Sequence, residues 1–192
     1  MSFGEIVGIG RTKTEEQWDH GLLDLAAEAA GAALDDARSV APSGLVVGNA
    51  LGEALGDQRN LATYLASRLG LGAVEAVSVA DDEASGGSAL RTALALLAFG
   101  GHEAVLVVGA EKTCDALPDD LEAVRAAGLD ALREGGFGFG PAVAAGLGMG
   151  RYVEQYGIDR DLFYHLPATA HHHASRNPLA FFSWPLTFEQ YK

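Results

Sequence analysis

Residues 80–99 read ADDEASGGSALRTALALLAF, and this stretch decides the fold. Three acids stand immediately before a Ser-Gly-Gly step, and the run SGGSALRTALALLAF (85–99) is apolar on nearly every side. A helix with apolar residues all round is expected between layers of a core, not on a surface. Its first turn, with Glu83 just ahead of it, is then expected deep in the molecule. Glu83 has three readings: a chemical group, a charge complementing the helix, or the remains of a site. The partial positive charge at a helix start favours anions by a few tenths to about 1 kcal/mol. Ser85 is a candidate cap there. Acids alone take the reading no further.

Outward from that helix, strand-like and helix-like runs alternate. EIVGI (5–9), GLVVGNA (44–50), AVSVA (76–80) and AVLVVGA (104–110) are short apolar runs rich in β-branched residues. LLDLAAEAAGAALDDA (22–37) is helical by its alanine content and by the stripe Leu22, Leu25, Ala29, Ala33. RNLATYLASRLGLG (59–72) places Leu61, Leu65 and Leu69 on one face and stops at Gly70. Four continuous apolar strands separated by helices predict an α/β fold, with a mostly parallel sheet covered by helices on both faces. In such sheets ligands sit beyond the carboxyl ends of the strands.

After Lys112 the alternation ends. Residues 113–134 are expected to be helical and acidic, Pro141 suits the first turn of another helix, and a Pro- and aromatic-rich tail follows. This gives a domain division into an α/β core, 1–112, and an inserted, mainly helical subdomain, 113–192, with no closing strand.

The chain's 192 residues carry a net charge of -13, which argues against nucleic-acid binding, since that needs a Lys/Arg patch. Cys114 is the single cysteine, so no intrachain disulfide can form. MSFGEIVGIG lacks a basic segment followed by a long apolar one, and the apolar runs are too short to span a bilayer. A cytoplasmic protein, not attached to membrane, is the expectation.

Several motifs compete for chemistry. GIGRTK (8–13) has two glycines of a dinucleotide fingerprint but lacks the third, so a strand-ending turn is the better reading. GGFGFG (135–140) has no following Lys-Ser/Thr and is no phosphate loop. His171, His172 and His173 are consecutive, so on a helix they point about 100° apart and do not converge on one metal ion. A helix edge is favoured, with His171 open to lining a pocket. Cys114 lies beside Asp115 and near Lys112; a small, semi-buried residue is favoured over a nucleophile.

Taken in order, GIGRTK, VVGN, ASGGSAL, VVGAEKT, MGRYVEQYG, HHHASRNPLAFF and LTFEQYK resemble the N-terminal half of thiolases, most of all the archaeal acetoacetyl-CoA and sterol-carrier-protein-type branch. The resemblance implies a thiolase-like layered fold, of which this chain holds only the first of two repeats. It implies acyl-CoA thioesters as substrates, with no covalently bound cofactor. In the family the third helix begins at a nucleophilic cysteine in a Cys-Ala-Ser-Gly pattern. Here Glu83-Ala84-Ser85-Gly86 stands in that register, so Glu83 is the candidate catalytic residue, as a general base and not a thiol nucleophile. The strand expected after the loop subdomain, and the family's C-terminal half with its histidines and second cysteine, lie beyond this sequence. The resemblance therefore implies an oligomer, with a thiolase C-terminal half, a Cys-bearing paralogue or an OB-fold protein as partner. An accessory, non-catalytic subunit is the alternative to one half of a multi-chain enzyme. A nucleotide binder is the weakest reading.

Overall fold

The computed structural model describes residues 4–38 and 40–192. In chain order its elements are α1 (Leu22–Asp36), β1 (Gly44–Gly48), α2 (Gly52–Gly56), α3 (Leu61–Arg68), β2 (Glu75–Val79), α4 (Ser85–Phe99) and β3 (Val105–Gly109). There follow α5 (Pro118–Ala126), α6 (Pro141–Tyr156), α7 (His165–Ala174) and α8 (Phe188–Tyr191). Two compact units result: Met1–Thr12 with Gln17–Val124, and Lys13–Glu16 with Arg125–Lys192.

The first unit is an α/β layer built on a parallel sheet in the order β2-β1-β3. β1 is central, with Val46 opposite Val77 on one side and Val107 on the other. GLVVG reads as uninterrupted apolar sequence because every one of its residues is buried, the expected signature of a strand covered on both faces. Leu45 and Val47 face α1 and α3, packing with Ala26, Ala30, Leu61 and Leu65. Val46 faces the other way, onto Ala89 and Ala93 of α4. Each fully buried Val or Leu contributes roughly 1.5–3 kcal/mol of burial free energy, so this strand is the densest source of cohesion in the unit.

At the amino ends of the strands the sheet is bracketed by polar groups. Glu75 N–H donates to the Ser43 carbonyl at 3.1 Å, and Ser43 N–H to the Ala104 carbonyl at 3.0 Å. The His102 ring, its side chain 11% exposed, bridges Ser43 Oγ at 2.9 Å and Glu75 Oε2 at 3.0 Å. One imidazole thus ties the entrances of all three strands together.

Two expectations are corrected. EIVGI is not a strand: residues 5–9 carry no ladder, and Ile6 is 85% exposed. A β-branched run forms a strand only beside another one, and here Gly8 and Gly10 press it against α1 instead. A Cβ on Gly8 would lie 2.4 Å from the Ala33 carbonyl oxygen, and one on Gly10 2.2 Å from that of Ala29. Ile9 N–H donates to Asp36 Oδ2 at 2.9 Å, closing the contact. The glycines of GIGRTK therefore serve a helix contact and not a strand-ending turn. β3 is left as an edge strand among the described residues. The second correction concerns α4, which is apolar all round but only partly covered. Ser85, Ala89 and Ala93 are buried, whereas Leu90 is 52% and Phe99 92% exposed. Besides the sheet, the segment around Gly4 touches it: a Cβ there would lie 3.5 Å from Leu97 Cδ1 and 3.8 Å from Leu94 Cδ2.

The second unit is helical, with Pro141 at the first position of α6 and Gly157, φ 62°, ending it. Residues 113–134 hold a shorter helix than expected, Pro118–Ala126. Beyond it, Asp130 Oδ1 accepts from Leu132 and Arg133 N–H at 3.0 and 2.9 Å, forming a turn in place of further helix. Tyr164 anchors the end of the chain, donating to the Leu186 carbonyl at 2.8 Å and meeting the Phe188 ring edge-on.

Replacing His102 with alanine removes the bracket. Loss of a partly buried hydrogen-bonded group of this kind costs about 1–3 kcal/mol, and urea denaturation of the His102→Ala chain is expected to show a midpoint lowered accordingly.

Candidate functional site

The carboxyl ends of β1, β2 and β3 gather the chemistry-bearing residues. β1 runs into Asn49, β2 into Asp81, Asp82 and Glu83, and β3 into Glu111 and Lys112. These ends are stitched by side chains. Asn49 Nδ2 donates to the Ala110 carbonyl at 2.7 Å, while its Oδ1 accepts from Gly52 N–H at 2.9 Å. The Glu111 carboxylate accepts from the Ala50 and Leu51 amides. Glu111 thereby fixes the loop after β1 from the end of β3, a role that its place just past a strand could have suggested. Asn49 and Glu111 lie within the motifs VVGN and VVGAEKT but were not singled out by sequence reasoning, because the bonds Asn49 to Ala110 and Glu111 to Ala50 each join residues 61 positions apart.

The three acids ahead of α4 separate into different roles. Asp81 accepts from Ser88 Oγ. Asp82 adopts φ 43°, a left-handed turn residue whose carbonyl accepts from Ser85 Oγ at 2.6 Å. Glu83 is exposed, and among the described residues its carboxylate has no ion-pair or hydrogen-bond partner. Ser85 is not the helix cap; Ala84 holds that position without a side-chain cap. The buried Ser85 hydroxyl instead accepts from Asp81 N–H at 2.9 Å, locking the turn that presents Glu83. No side chain caps α4, and with Ser85 N–H donating to the Asp82 carbonyl and Ser88 N–H to that of Ala84, the amides of the exposed Gly86 and Gly87 are the first-turn donors open to an anionic oxygen.

Gly48 sets where this helix start lies. A Cβ there would fall 2.6 Å from the Ser85 carbonyl oxygen and 3.1 Å from Ala89 Cβ. Only a residue without a side chain lets α4 sit this close to the central strand.

On the β3 side, Lys112 is paired with Asp115, its side chain 7% exposed. Cys114 Sγ lies 3.7 Å from Asp115 Oδ1. Burial pulls the Lys112 ammonium's pKa down, but the Asp115 hydrogen bond and the charges of Cys114 and Asp115 outweigh it and hold it above its ordinary value. The histidines belong to the second unit. His171 stacks on Phe182 at 5.4 Å and bonds the Trp184 carbonyl through Nδ1 at 2.9 Å. His172 and His173 are exposed. No group of metal-ligating side chains is found among the described residues, and none of their helices is long and apolar enough to cross a membrane.

A parallel α/β layer whose strand ends lead into carboxylates and an uncapped, glycine-rich helix start is of the α/β class, in which ligands bind beyond the carboxyl ends of the strands. Comparison with known proteins gives the family. The family described as "Thiolase, N-terminal domain" matches residues 5–183, and the chain belongs to the thiolase family. It is 29% identical to an acetyl-CoA acetyltransferase of Methanothermobacter thermautotrophicus, covering 96% of this chain and 48% of the relative. It is 31% identical to an acetyl-CoA acetyltransferase of Methanocaldococcus jannaschii, covering 96% and 47%. Among solved structures it is similar to the "Ltp2-ChsH2(DUF35) aldolase", with TM-score 0.76 and 25% identity over 96% of this chain and 47% of that one. The chain spans about half the length of the curated relatives it matches.

Two outcomes are expected. Gly48→Ala overpacks the contact with Ser85, an effect of about 1–3 kcal/mol, and lowers the thermal midpoint of the first unit. Because the Lys112 ammonium is favoured in the folded chain, its contribution is present below its ordinary value of 10.5 and is lost as pH rises through its higher folded value. Alkaline unfolding of Lys112→Met is therefore expected to depend less on pH in that range than unfolding of the unmodified chain.

Proposed function

We propose that the chain is a thiolase-type subunit acting on acyl-CoA thioesters as one part of a multi-chain enzyme, with Glu83 as its general base. The observation that carries this reading is the unpartnered carboxylate of Glu83, presented by the Asp81–Ser85 turn at the start of α4. In the family register a nucleophilic cysteine is expected there. A carboxylate is a poor substitute for acyl transfer, since the mixed anhydride it would form is far less stable than a thioester. It is well suited to proton transfer.

Carbon–carbon cleavage of a β-hydroxyacyl thioester fits these groups. Glu83 takes the proton of the β-hydroxyl, and the Cβ–O bond becomes a carbonyl as the Cα–Cβ bond breaks. The electron pair passes to the thioester enolate, whose oxygen the first-turn amides of α4 can receive. Return of the proton to Cα releases the shortened acyl-CoA. The aldolase similarity supports this choice over thiolysis by analogy only. The α/β core to residue 112 supplies the strand-end site, and residues 113–192 form the loop subdomain. An OB-fold protein or a thiolase C-terminal half is the proposed partner, in a cytoplasmic complex.

The same lack of neighbours favours a second reading. Asp81 is engaged by Ser88 Oγ, and among the described residues no hydrogen bond or ion pair joins Glu83 to a histidine or a thiol, so a non-catalytic subunit completing a Cys-bearing paralogue is the second reading.

The isolated chain is expected to show no acetoacetyl-CoA thiolysis; robust turnover by the purified polypeptide overturns the multi-chain reading. In the complex recovered from its native source, a positioned base contributes about 100-fold or more. Glu83→Gln is therefore expected to lower kcat for β-hydroxyacyl-CoA cleavage by about that factor while KM changes little. A complex whose activity is indifferent to Glu83→Gln supports the accessory subunit instead.

A further inference from the structure

We propose that Ser43, His102 and Glu75 form a second chemical centre, at the opposite ends of the strands from Glu83, in which Ser43 is a nucleophile toward activated carboxylic esters. Ser43 is exposed. Its Oγ lies 2.9 Å from His102 Nδ1, and the Nε2 of the same ring lies 3.0 Å from Glu75 Oε2. Nucleophile, base and orienting carboxylate thus stand in one hydrogen-bonded series, the arrangement that activates a hydroxyl. The three residues come from the entrances of β1, β3 and β2. Ser43 and Glu75 are 59 and 27 positions from His102, so no local motif shows them together.

The chemistry of the partners fixes the direction of each bond. An ionised carboxylate only accepts, so the neutral ring carries its proton on Nε2 and donates it to Glu75. Nδ1 is left as the acceptor, and the Ser43 hydroxyl donates to it. The competing acceptor, the Ala104 carbonyl, is 3.5 Å from Ser43 Oγ, at the limit of a hydrogen bond. Two missing side chains seat the ring. A Cβ on Gly44 would lie 3.4 Å from His102 Nδ1, and one on Gly100 3.0 Å from Cδ2. The imidazole is therefore nearly covered, its side chain 11% exposed, while the hydroxyl it serves meets solvent. Ala41, Ala73 and Gly101, in the segments leading into the strands, are exposed and small, and put no bulky side chain over Ser43.

In the reaction, Ser43 Oγ bonds to the ester carbonyl carbon as its proton passes to Nδ1. The carbon–oxygen bond to the leaving group breaks, the leaving oxygen takes the proton from the imidazolium, and acyl-Ser43 remains. Glu75, as a positioning residue, holds the ring and faces its positive charge. Water then gives a proton to Nδ1 and attacks the acyl carbon. Oγ departs with that proton, and a carboxylic acid is released. The net change is ester and water to acid and alcohol. This inference stands on the geometry ahead of the strands and holds whether or not the acyl-CoA reading does.

The purified chain is treated with an alkyl fluorophosphonate, and labelled peptides are followed by mass spectrometry. A positioned base contributes about 100-fold or more, so Ser43 is expected to be labelled faster than the exposed Ser67 of α3 by about that factor. His102→Gln should remove the advantage. Glu75→Gln should lower the maximal labelling rate about tenfold while the half-saturating reagent concentration stays unchanged. Hydrolysis of p-nitrophenyl acetate should fall in Ser43→Ala to the background of the free histidines. Circular dichroism melts identify any variant that fails to fold; the ratio of Ser43 to Ser67 labelling in the unmodified chain then decides. Equal labelling of Ser43 and Ser67, labelling indifferent to His102→Gln or to Glu75→Gln, or ester hydrolysis undiminished in Ser43→Ala overturns the inference.

Discussion

The contact of α4 with the central strand at Gly48 is the constraint on which the site depends. With no side chain at Gly48, the Ser85 carbonyl comes within what would be steric overlap for any other residue. That approach seats Ala89 and Ala93 against Val46, and it fixes the helix start beside the end of β2. The Asp81–Ser85 turn then has one place to be, held by the Ser85 hydroxyl from inside. Glu83 is presented by this turn, whose exposed residues are tied to the one buried hydroxyl of Ser85. The position of one carboxylate thus traces back to a missing methyl group on the neighbouring strand.

The opposite end of the sheet shows the same economy by different means. There a nearly covered imidazole joins Ser43 and Glu75, and the strand entrances are set before any side chain of the site is reached. Between these two ends lies β1, whose side chains reach both layers. Membership of the thiolase family accounts for this order of elements. Glu83 lies at the exposed end of that frame, and a family fold can be kept while the groups at its strand ends change.

Much of the first unit was legible in the sequence. GLVVG reads as a strand because burial on both faces removes polar alternation, AVSVA and AVLVVGA carry the same apolar signal although they are only partly covered, and α1, α3 and α4 read from apolar spacing. EIVGI carried the same local signal and failed, since strand formation requires a hydrogen-bonded neighbour that no local pattern encodes. The helix over residues 113–134 was overextended for a related reason. Asp130 offers its carboxylate to nearby amides, and this short-range competition outweighs helical propensity.

The sequence by itself determined the family, three of the strands with the helices between them, and the place of Glu83 just before a helix start, because these follow from periodicity and from an ordered series of local motifs. Tertiary structure alone decided that Ser85 locks the turn instead of capping the helix, that Glu111 braces the loop after β1, and that α4 is only partly covered. Each of these depends on which distant segments meet. Residues 61 positions apart, as Ala50 and Glu111 are, are joined by the sheet's crossover and by nothing that a linear reading of side chains contains.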